Sequence, residues 1–369
     1  MDVKPVHKPE YLKLIQKHPE LLIPRFKNQK SQVTHFINTG SNLPCKAKVR
    51  PLPAGSKKAI LGKKAWDELI ELGIVEPVDL SQPTTWSSPL HLQLKSNGQY
   101  RPCGDFRLLN LRTVLDGFPL PSLRSFTDDI KGSRVFSKLD IMKAYHHVDI
   151  HPPDRHKTAV LTPWGAYQFR KMAMGLSNSA QSWQRYIQDV LKDIENCYIY
   201  LDDILLYSKN EEDHKATLTK ILQRLDNAGL TLSLDKCSFG QEEIDFLGFH
   251  VNSSGITPIQ AKLEVINNAA EPETQKKLLG FLGAISYYRH CLPPLTINGQ
   301  KMTAAEILQP LYSAATKKLP PKTSFKTLWS QSPDLIQSFK NAKELLMAAT
   351  RLTYPDPSKP LAITGCSYL

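Results

Sequence analysis

The chain lacks the devices that hold small secreted proteins together. Its six cysteines (Cys45, Cys103, Cys197, Cys237, Cys291 and Cys366) are scattered singly through 369 residues, with no CxxC pair and no Cys/His knuckle spacing. A disulfide framework and a structural zinc are therefore not expected, and a reducing compartment is. Long apolar runs are also missing, so no membrane span is expected. Met1–Lys17 alternates charges with short apolar runs, unlike a secretion signal. There is no internal repeat and no low-complexity tract. The expectation is an intracellular, cytoplasmic chain or a piece of a longer one.

What is present in excess is positive charge. Lys and Arg number 47 against 35 acids, a net +12. A surplus of that size suits a polyanionic partner such as nucleic acid, although lysines that only maintain solubility give the same count. A chain of this length also buries a sizeable core and is expected to divide into subdomains.

Taken in order, Met1–Asn42 is polar, basic and punctuated by Pro5, Pro9, Pro19 and Pro24, and is read as a loosely ordered leader. Within it, Ile37-Asn38-Thr39-Gly40-Ser41 is one residue away from the Asp-Thr-Gly of an aspartic protease, but Asn38 supplies no carboxylate. Lys57–Leu72 has helical spacing and stops at Gly73. Leu90–Leu94, the turn Lys95-Ser96-Asn97-Gly98 and Tyr100–Arg107 predict a hairpin with a basic tip. A short helix is expected at Ser122–Ile130. Val135–Ile141 predicts a buried strand ending in an acid, with a turn or short helix over Met142–Tyr145. A strand pair follows around Pro163-Trp164-Gly165. A long amphipathic helix starts from Ser177 as N-cap and carries Trp183, Tyr186, Ile187, Val190, Leu191 and Ile194. Asp213–Ala228 predicts another helix, closed by Gly229. Thr231–Leu234 and Ile244–Val251 predict strands. From Thr257-Pro258, taken as cap and first helical residue, the pattern turns mostly helical, clearest at Leu278–Tyr288 and Pro333–Ala349. Pro320-Pro321 and Pro355–Pro360 are candidate linkers. This order of strands, helices and a hairpin predicts an α+β sheet packed on helices.

The stretch around which the rest is organised is Cys197–Tyr207, where Asp202-Asp203 sits between two apolar and aromatic runs. It predicts a hairpin with the two acids at its tip. Adjacent carboxylates raise each other's pKa unless a cation lies between them. Asp is also simply a favoured turn residue. What favours chemistry is Asp140, which ends a strand expected in the same sheet. Three oxygen donors converging there suit two Mg2+ ions, which share their ligands with substrate phosphates. A pair of ions about 3.5–4 Å apart activates an attacking hydroxyl and stabilises the leaving oxygen of a phosphoryl transfer.

With these residues in view, the chain from about His35 to its end resembles the reverse transcriptases of long-terminal-repeat retrotransposons, the gypsy type in particular. Tyr100–Asn110 resembles the family's R-x-C-x-D-[FY]-R-x-L-N, and Phe118-Pro119-Leu120-Pro121 its F/Y-P-L-P. Ser137–Val148 is similar to S-K-L-D-L-x-x-[AG]-[YF]-x-Q-[IV], and Asp154–Ala159 to D-x-x-K-T-A. Tyr200-Leu201-Asp202-Asp203 matches Y-x-D-D, and Phe246-Leu247-Gly248-Phe249 matches F-L-G-[FHY].

The resemblance implies a right-hand polymerase: fingers and palm over 43–254, thumb over 255–320, and a connection running into a ribonuclease H-like start over 321–369, after a leader over 1–42. It implies an RNA-directed DNA polymerase that adds dNTPs to a primer on an RNA or DNA template. Two Mg2+ ions, replaceable by Mn2+, would be held by Asp140, Asp202 and Asp203. Arg101, with Lys95 on the same hairpin, would take the incoming triphosphate, because a guanidinium neutralises two phosphate oxygens at once. Tyr145 would stack under the deoxyribose. Asp105, Arg107 and Lys157 would lie along the nucleic acid, and Leu247, Gly248 and Phe249 would support the primer end. The family usually has M-P-F-G-L-x-N-A-P where this chain has Met172–Ala180, so both prolines are lost and Met174 replaces the aromatic facing the nucleotide. His147 replaces a common glutamine. Gly365 stands where the first acid of a ribonuclease H belongs, so hybrid-strand cleavage is not expected. The alternatives are a catalytically impaired remnant that only binds template–primer, and a DNA-templated or telomerase-like polymerase sharing the palm acids.

Overall fold

Phe136, Lys138 and Asp140 share one face of the strand Val135–Asp140, while Ser137 and Leu139 share the other, because side chains alternate along a strand. That alternation organises the sheet that carries the acids. The computed structural model describes residues 8–26, 33–79, 81, 83–121, 130–297, 299–319 and 324–352. They divide into two units, Met1–Phe126 with Val135–Gln241, and Thr127–Arg134 with Glu242–Leu369.

In the first unit a four-stranded antiparallel sheet runs in the order Ser238–Gln241, Val135–Asp140, Asp203–Ser208, Cys197–Tyr200. Leu139, Ile204 and Leu206 join Leu218, Ile221, Leu222 and Leu225 of the helix Glu211–Asn227 in one buried cluster. Burying each such side chain contributes about 1.5–3 kcal/mol. His214 of that helix is completely buried between the hydroxyls of Ser137 at 2.6 Å and Ser208 at 3.1 Å. The opposite face carries Asp140, Lys138 and Asp203 at one end and the buried Phe136, Leu205 and Tyr207 beside them. A second sheet of five strands has the order Val75–Pro77, Gly165–Phe169, Val160–Thr162, Ser88–Leu94, Tyr100–Gly104. The helix Lys57–Glu71 buries Trp66 and Leu69 beside it and is capped by Ser56, whose hydroxyl accepts from the Ala59 amide.

The second unit opens with a three-stranded meander, Glu243–Phe246, Phe249–Asn252 and Gly255–Pro258. Helices follow at Gln260–Asn267, Gln275–Tyr287, Ala304–Thr316, Phe325–Ser330 and Pro333–Met347. Phe281 and Phe339 pack with ring centroids 4.4 Å apart, and the Trp329 indole donates to Glu271 at 3.0 Å. No helix among the described residues is long and apolar enough to cross a membrane.

Several expectations are corrected. The described residues before Asn42 are not loose. Pro9–Gln16 is a helix with Tyr11 and Ile15 buried four residues apart, and Leu21 and Phe26 are buried as well. Pro9 and Pro19 start helical turns rather than breaking them, since Pro is pre-organised for the first helical position. Ser177 is not the N-cap. Asn178 is, at φ +66, and its side chain ties down the Asp116 amide and the Val114 carbonyl. That helix ends at Val190, before Ile194. Thr231–Leu234 makes one bridge, Ile141 with Leu232, because the Leu232 amide donates to Leu21 at 2.7 Å. Ile244–Val251 is two strands around a turn at Leu247-Gly248, where the expectation was one. Thr257-Pro258 ends a strand, and the helix begins at Gln260. The expected helix from Ser122, the linkers at Pro320-Pro321 and Pro355–Pro360, and the segment around Gly365 lie outside the described residues.

Candidate active site

The ladder sets Asp203 directly opposite Asp140. Residues so paired point to the same face with Cβ atoms about 4.5–5.5 Å apart. The hairpin tip is shifted by one residue from the expectation: Tyr200 pairs with Asp203, so Leu201 and Asp202 form the turn and Asp203 already belongs to the strand. A two-residue loop of this kind needs a positive φ, for which glycine is the usual residue. Here Leu201 takes it, at +52.

The three carboxylates differ in environment. Asp203 is 2.9 Å from the Lys138 ammonium, and Asp140 is 3.4 Å from that of Lys236. Asp202 has no such partner among the described residues, and its Oδ1 is buried without a hydrogen bond. Burial first, then the charges of Asp140 and Asp203, push its carboxyl up to about 6. As the side chains stand, no three His, Cys, Asp or Glu groups among the described residues are gathered to hold a metal ion. Hard oxygen donors, one of them orphaned, nevertheless fit a hard divalent cation once the lysines turn away.

The backbone under Asp140 is tied on both sides. Its amide donates to the Cys237 sulfur at 3.4 Å and its carbonyl accepts from the Ser233 amide at 2.9 Å. Burial holds the Cys237 thiol at about 12, so it stays neutral beside the acid.

Asp140 and Asp202 open onto a cleft of about 340 Å3 whose other walls include Lys95, Arg101, Tyr145 and Met174. Lys95 and Arg101 come from the basic hairpin, in which Arg101 pairs with Gln93 and the Gly98 amide closes the turn onto the Lys95 carbonyl at 3.0 Å. Tyr145 is half-buried on a short 3-10 turn, Ala144–His147. Burial, and then the Asp202 charge, push its hydroxyl up to about 12, so it remains protonated. Met174 is 38% exposed at the rim.

Other expected residues lie elsewhere. Asp105 is held between Arg107 at 2.7 Å and Arg50 at 2.6 Å, and these hydrogen bonds, Arg107's foremost, keep its carboxyl well below the usual range. With Lys48 they border a separate groove of about 620 Å3. Lys157 is not directed to a ligand: its ammonium donates to the Ile37 carbonyl and to Asp154, both at 2.7 Å. The reason is the buried Asp154 carboxylate, which needs a cation beside it. Leu247, Gly248 and Phe249 belong to the second unit. Their turn has φ +48 and +80 at Leu247 and Gly248. The Tyr287 and Tyr288 hydroxyls donate to the carbonyls of Leu247 at 2.5 Å and Gly248 at 3.5 Å.

Sequence reasoning missed Lys138, Lys236, Trp183 and Gln184. Lys138 had a signal, because it lies two residues before Asp140 and so on the same strand face. Trp183 was read only as core. Gln184 had no local signal, since its partners lie on the hairpin.

Residues 93–251 match the family described as reverse transcriptase (RNA-dependent DNA polymerase). The chain is 28% identical over 315 residues to the transposon Tf2-3 polyprotein of Schizosaccharomyces pombe, a match covering 85% of this chain and 22% of that one. It is 29% identical over 335 residues to the retrovirus-related Pol polyprotein from transposon opus of Drosophila melanogaster, covering 89% and 32%. The chain thus spans a third or less of the length of these relatives. Among solved structures it is similar to the foamy viral protease-reverse transcriptase dRH in complex with double-stranded DNA. The TM-score is 0.77 at 22% identity, covering 96% of this chain and 60% of that one. The foamy viral protease-reverse transcriptase with an RNA/DNA hybrid gives 0.75 at 21% identity, covering 95% and 46%. These likenesses establish the right-hand polymerase fold.

Proposed function

We propose that this chain, whose residues 93–251 match the reverse transcriptase family and which is similar to transposon polyproteins, is an RNA-directed DNA polymerase. It adds dNTPs to a primer 3′-hydroxyl on an RNA or DNA template by phosphoryl transfer. The observation that carries this reading is one cleft bordered by Asp140 and Asp202 on one side and by Arg101, Lys95 and Tyr145 on others, with Asp203 opposite Asp140 in the ladder.

Asp140, Asp202 and Asp203 would hold two Mg2+ ions, which supply charge neutralisation on the phosphates and a more acidic attacking hydroxyl. For the acids to turn inward, Lys138 and Lys236 must release Asp203 and Asp140. Both pairs are reached by solvent, so each release costs at most about 1 kcal/mol. The Arg101 guanidinium and the Lys95 ammonium neutralise the triphosphate and orient it. Tyr145, protonated and braced by burial, presents its ring to the sugar and leaves little room for a 2′-hydroxyl. Met174 is a flexible thioether where an aromatic is usual, so it adapts to the nucleotide rather than gripping it. The groove beside Lys48, Arg50 and Arg107 offers backbone phosphates a net positive lining. We assign fingers and palm to the first unit, and thumb and connection to the second.

The second reading is a remnant that binds template–primer without extending it, favoured by carboxylates that stand paired to lysines rather than gathered. Primer extension on RNA and DNA templates, with and without Asp202→Asn, separates the two. Extension by the parent and none by the variant supports the polymerase. Tight hybrid binding with no incorporation in Mg2+ or Mn2+ supports the remnant.

A further inference from the structure

The turn that carries Asp202 has a conformational cost that its own sequence does nothing to lower. Leu201 sits at φ +52, a region L-residues with large side chains avoid. Glycine would remove the cost. Here two consecutive residues of the helix Ser179–Val190 hold the turn from outside. The Trp183 indole donates to the Leu201 carbonyl at 2.8 Å. The Gln184 carboxamide accepts from the Leu201 amide at 2.9 Å and donates to the Ile199 carbonyl at 3.1 Å. Both main-chain polar groups of Leu201 are thereby taken by side chains of one helix.

Gln184 is completely buried. A carboxamide in that position is costly unless its polar ends are paired, and an apolar residue of the same length would pack without that demand. Its two ends meet the hairpin on either side of Tyr200. It bridges the end of one strand to the residue that begins the turn.

We propose that Gln184, assisted by Trp183, is a positioning residue that locks Leu201 in its left-handed conformation and so fixes the direction in which the next residue, Asp202, enters the cleft. The catalytic consequence rests on the polymerase reading above; the clamp itself does not. A turn released to an ordinary φ would swing the Asp202 carboxylate, and a displacement of about 1 Å at a reacting centre lowers a rate by about a hundredfold.

The test uses the full chain with Gln184→Met, which keeps length and apolar bulk but loses both hydrogen bonds. Gln188→Met, at an exposed position four residues later on the same helix, is the control. Three quantities are measured: hydrogen exchange of the Leu201 amide, Mn2+ binding by electron paramagnetic resonance, and single-turnover incorporation alongside template–primer affinity. Gln184→Met is expected to speed Leu201 exchange at least about tenfold. It should weaken Mn2+ binding several-fold and slow incorporation about ten- to a hundredfold, with template–primer affinity unchanged. The control should match the parent. Unchanged exchange, or faster exchange with parental Mn2+ binding, overturns the proposal. If Gln184→Met does not fold, Trp183→Phe keeps an aromatic ring, loses the indole donor to Leu201 together with some buried bulk, and carries the same expectations at smaller amplitude; parental behaviour there overturns it equally. Should the parent extend no primer, exchange and Mn2+ binding still decide the clamp, and the polymerase reading alone falls.

Discussion

The Lys138 ammonium lies 2.9 Å from the Asp203 carboxylate, and Asp203 faces Asp140 across the ladder, so one of the two facing acids carries an internal cation. It lowers their mutual repulsion and competes with any divalent ion for the same oxygens. Lys138→Gln should lower the Mg2+ concentration that gives half-maximal primer extension by about threefold, the size expected of a partly exposed pair. A titration of rate against Mg2+ checks this, and an unchanged or raised midpoint refutes the competition.

Asp202→Asn should separate stability from activity. The raised carboxyl, about 6 against an ordinary 3.8, means that the ionised form is disfavoured in the folded state near neutral pH. Removing that charge should stabilise the metal-free protein by on the order of 2 kcal/mol at pH 7 while abolishing extension. Thermal unfolding in chelator gives the first quantity and the extension assay the second. A variant less stable than the parent contradicts the burial argument.

Tyr287→Phe keeps the ring stacked on Phe249, 5.7 Å between centroids, and loses only the hydroxyl on the Leu247 carbonyl. If the Leu247-Gly248 turn supports a primer end, template–primer should dissociate a few-fold faster and products per binding event should shorten. The rate of the first incorporation should stay near parental. Dissociation measured with a trap strand distinguishes this from a general loss of activity.

His35, His147 and His214 are completely buried, and burial holds them at about 4, 3 and 4, against 6.5 when unfolded. Their neutral forms favour the folded state. The unfolded chain binds more protons below pH 6.5, so this stability is complete above that value and is lost as the pH falls towards 4. Each should contribute on the order of 2 kcal/mol of destabilisation near pH 4.5. His214→Gln should flatten the fall by about one histidine's share; a profile as steep as the parent's would show that acid acts elsewhere.

Elements with strong local periodicity were legible from the residues. The helices Lys57–Glu71, Glu211–Asn227 and Pro333–Met347 and the basic hairpin fall where alternation or 3.6-residue spacing put them. Elements decided by a distant partner were not. The Leu247-Gly248 turn divides what reads as one strand, Thr231–Leu234 loses its ladder to Leu21, and the prolines of Met1–Asn42 gave no sign that Tyr11 and Phe26 would be drawn into the core.

The residues alone determined the strongly periodic helices and the presence of three acids, a basic hairpin and a tyrosine between them, because each is written within a window of a few positions. Tertiary structure decided how these meet: that Asp203 faces Asp140, that Leu201 rather than Asp203 occupies the turn, that Lys138 and Lys236 take two of the acids, and that Gln184 clamps the hairpin. Register, burial and long-range hydrogen bonds depend on groups far apart in the chain, whose meeting lowers the free energy only after the whole core has closed around them.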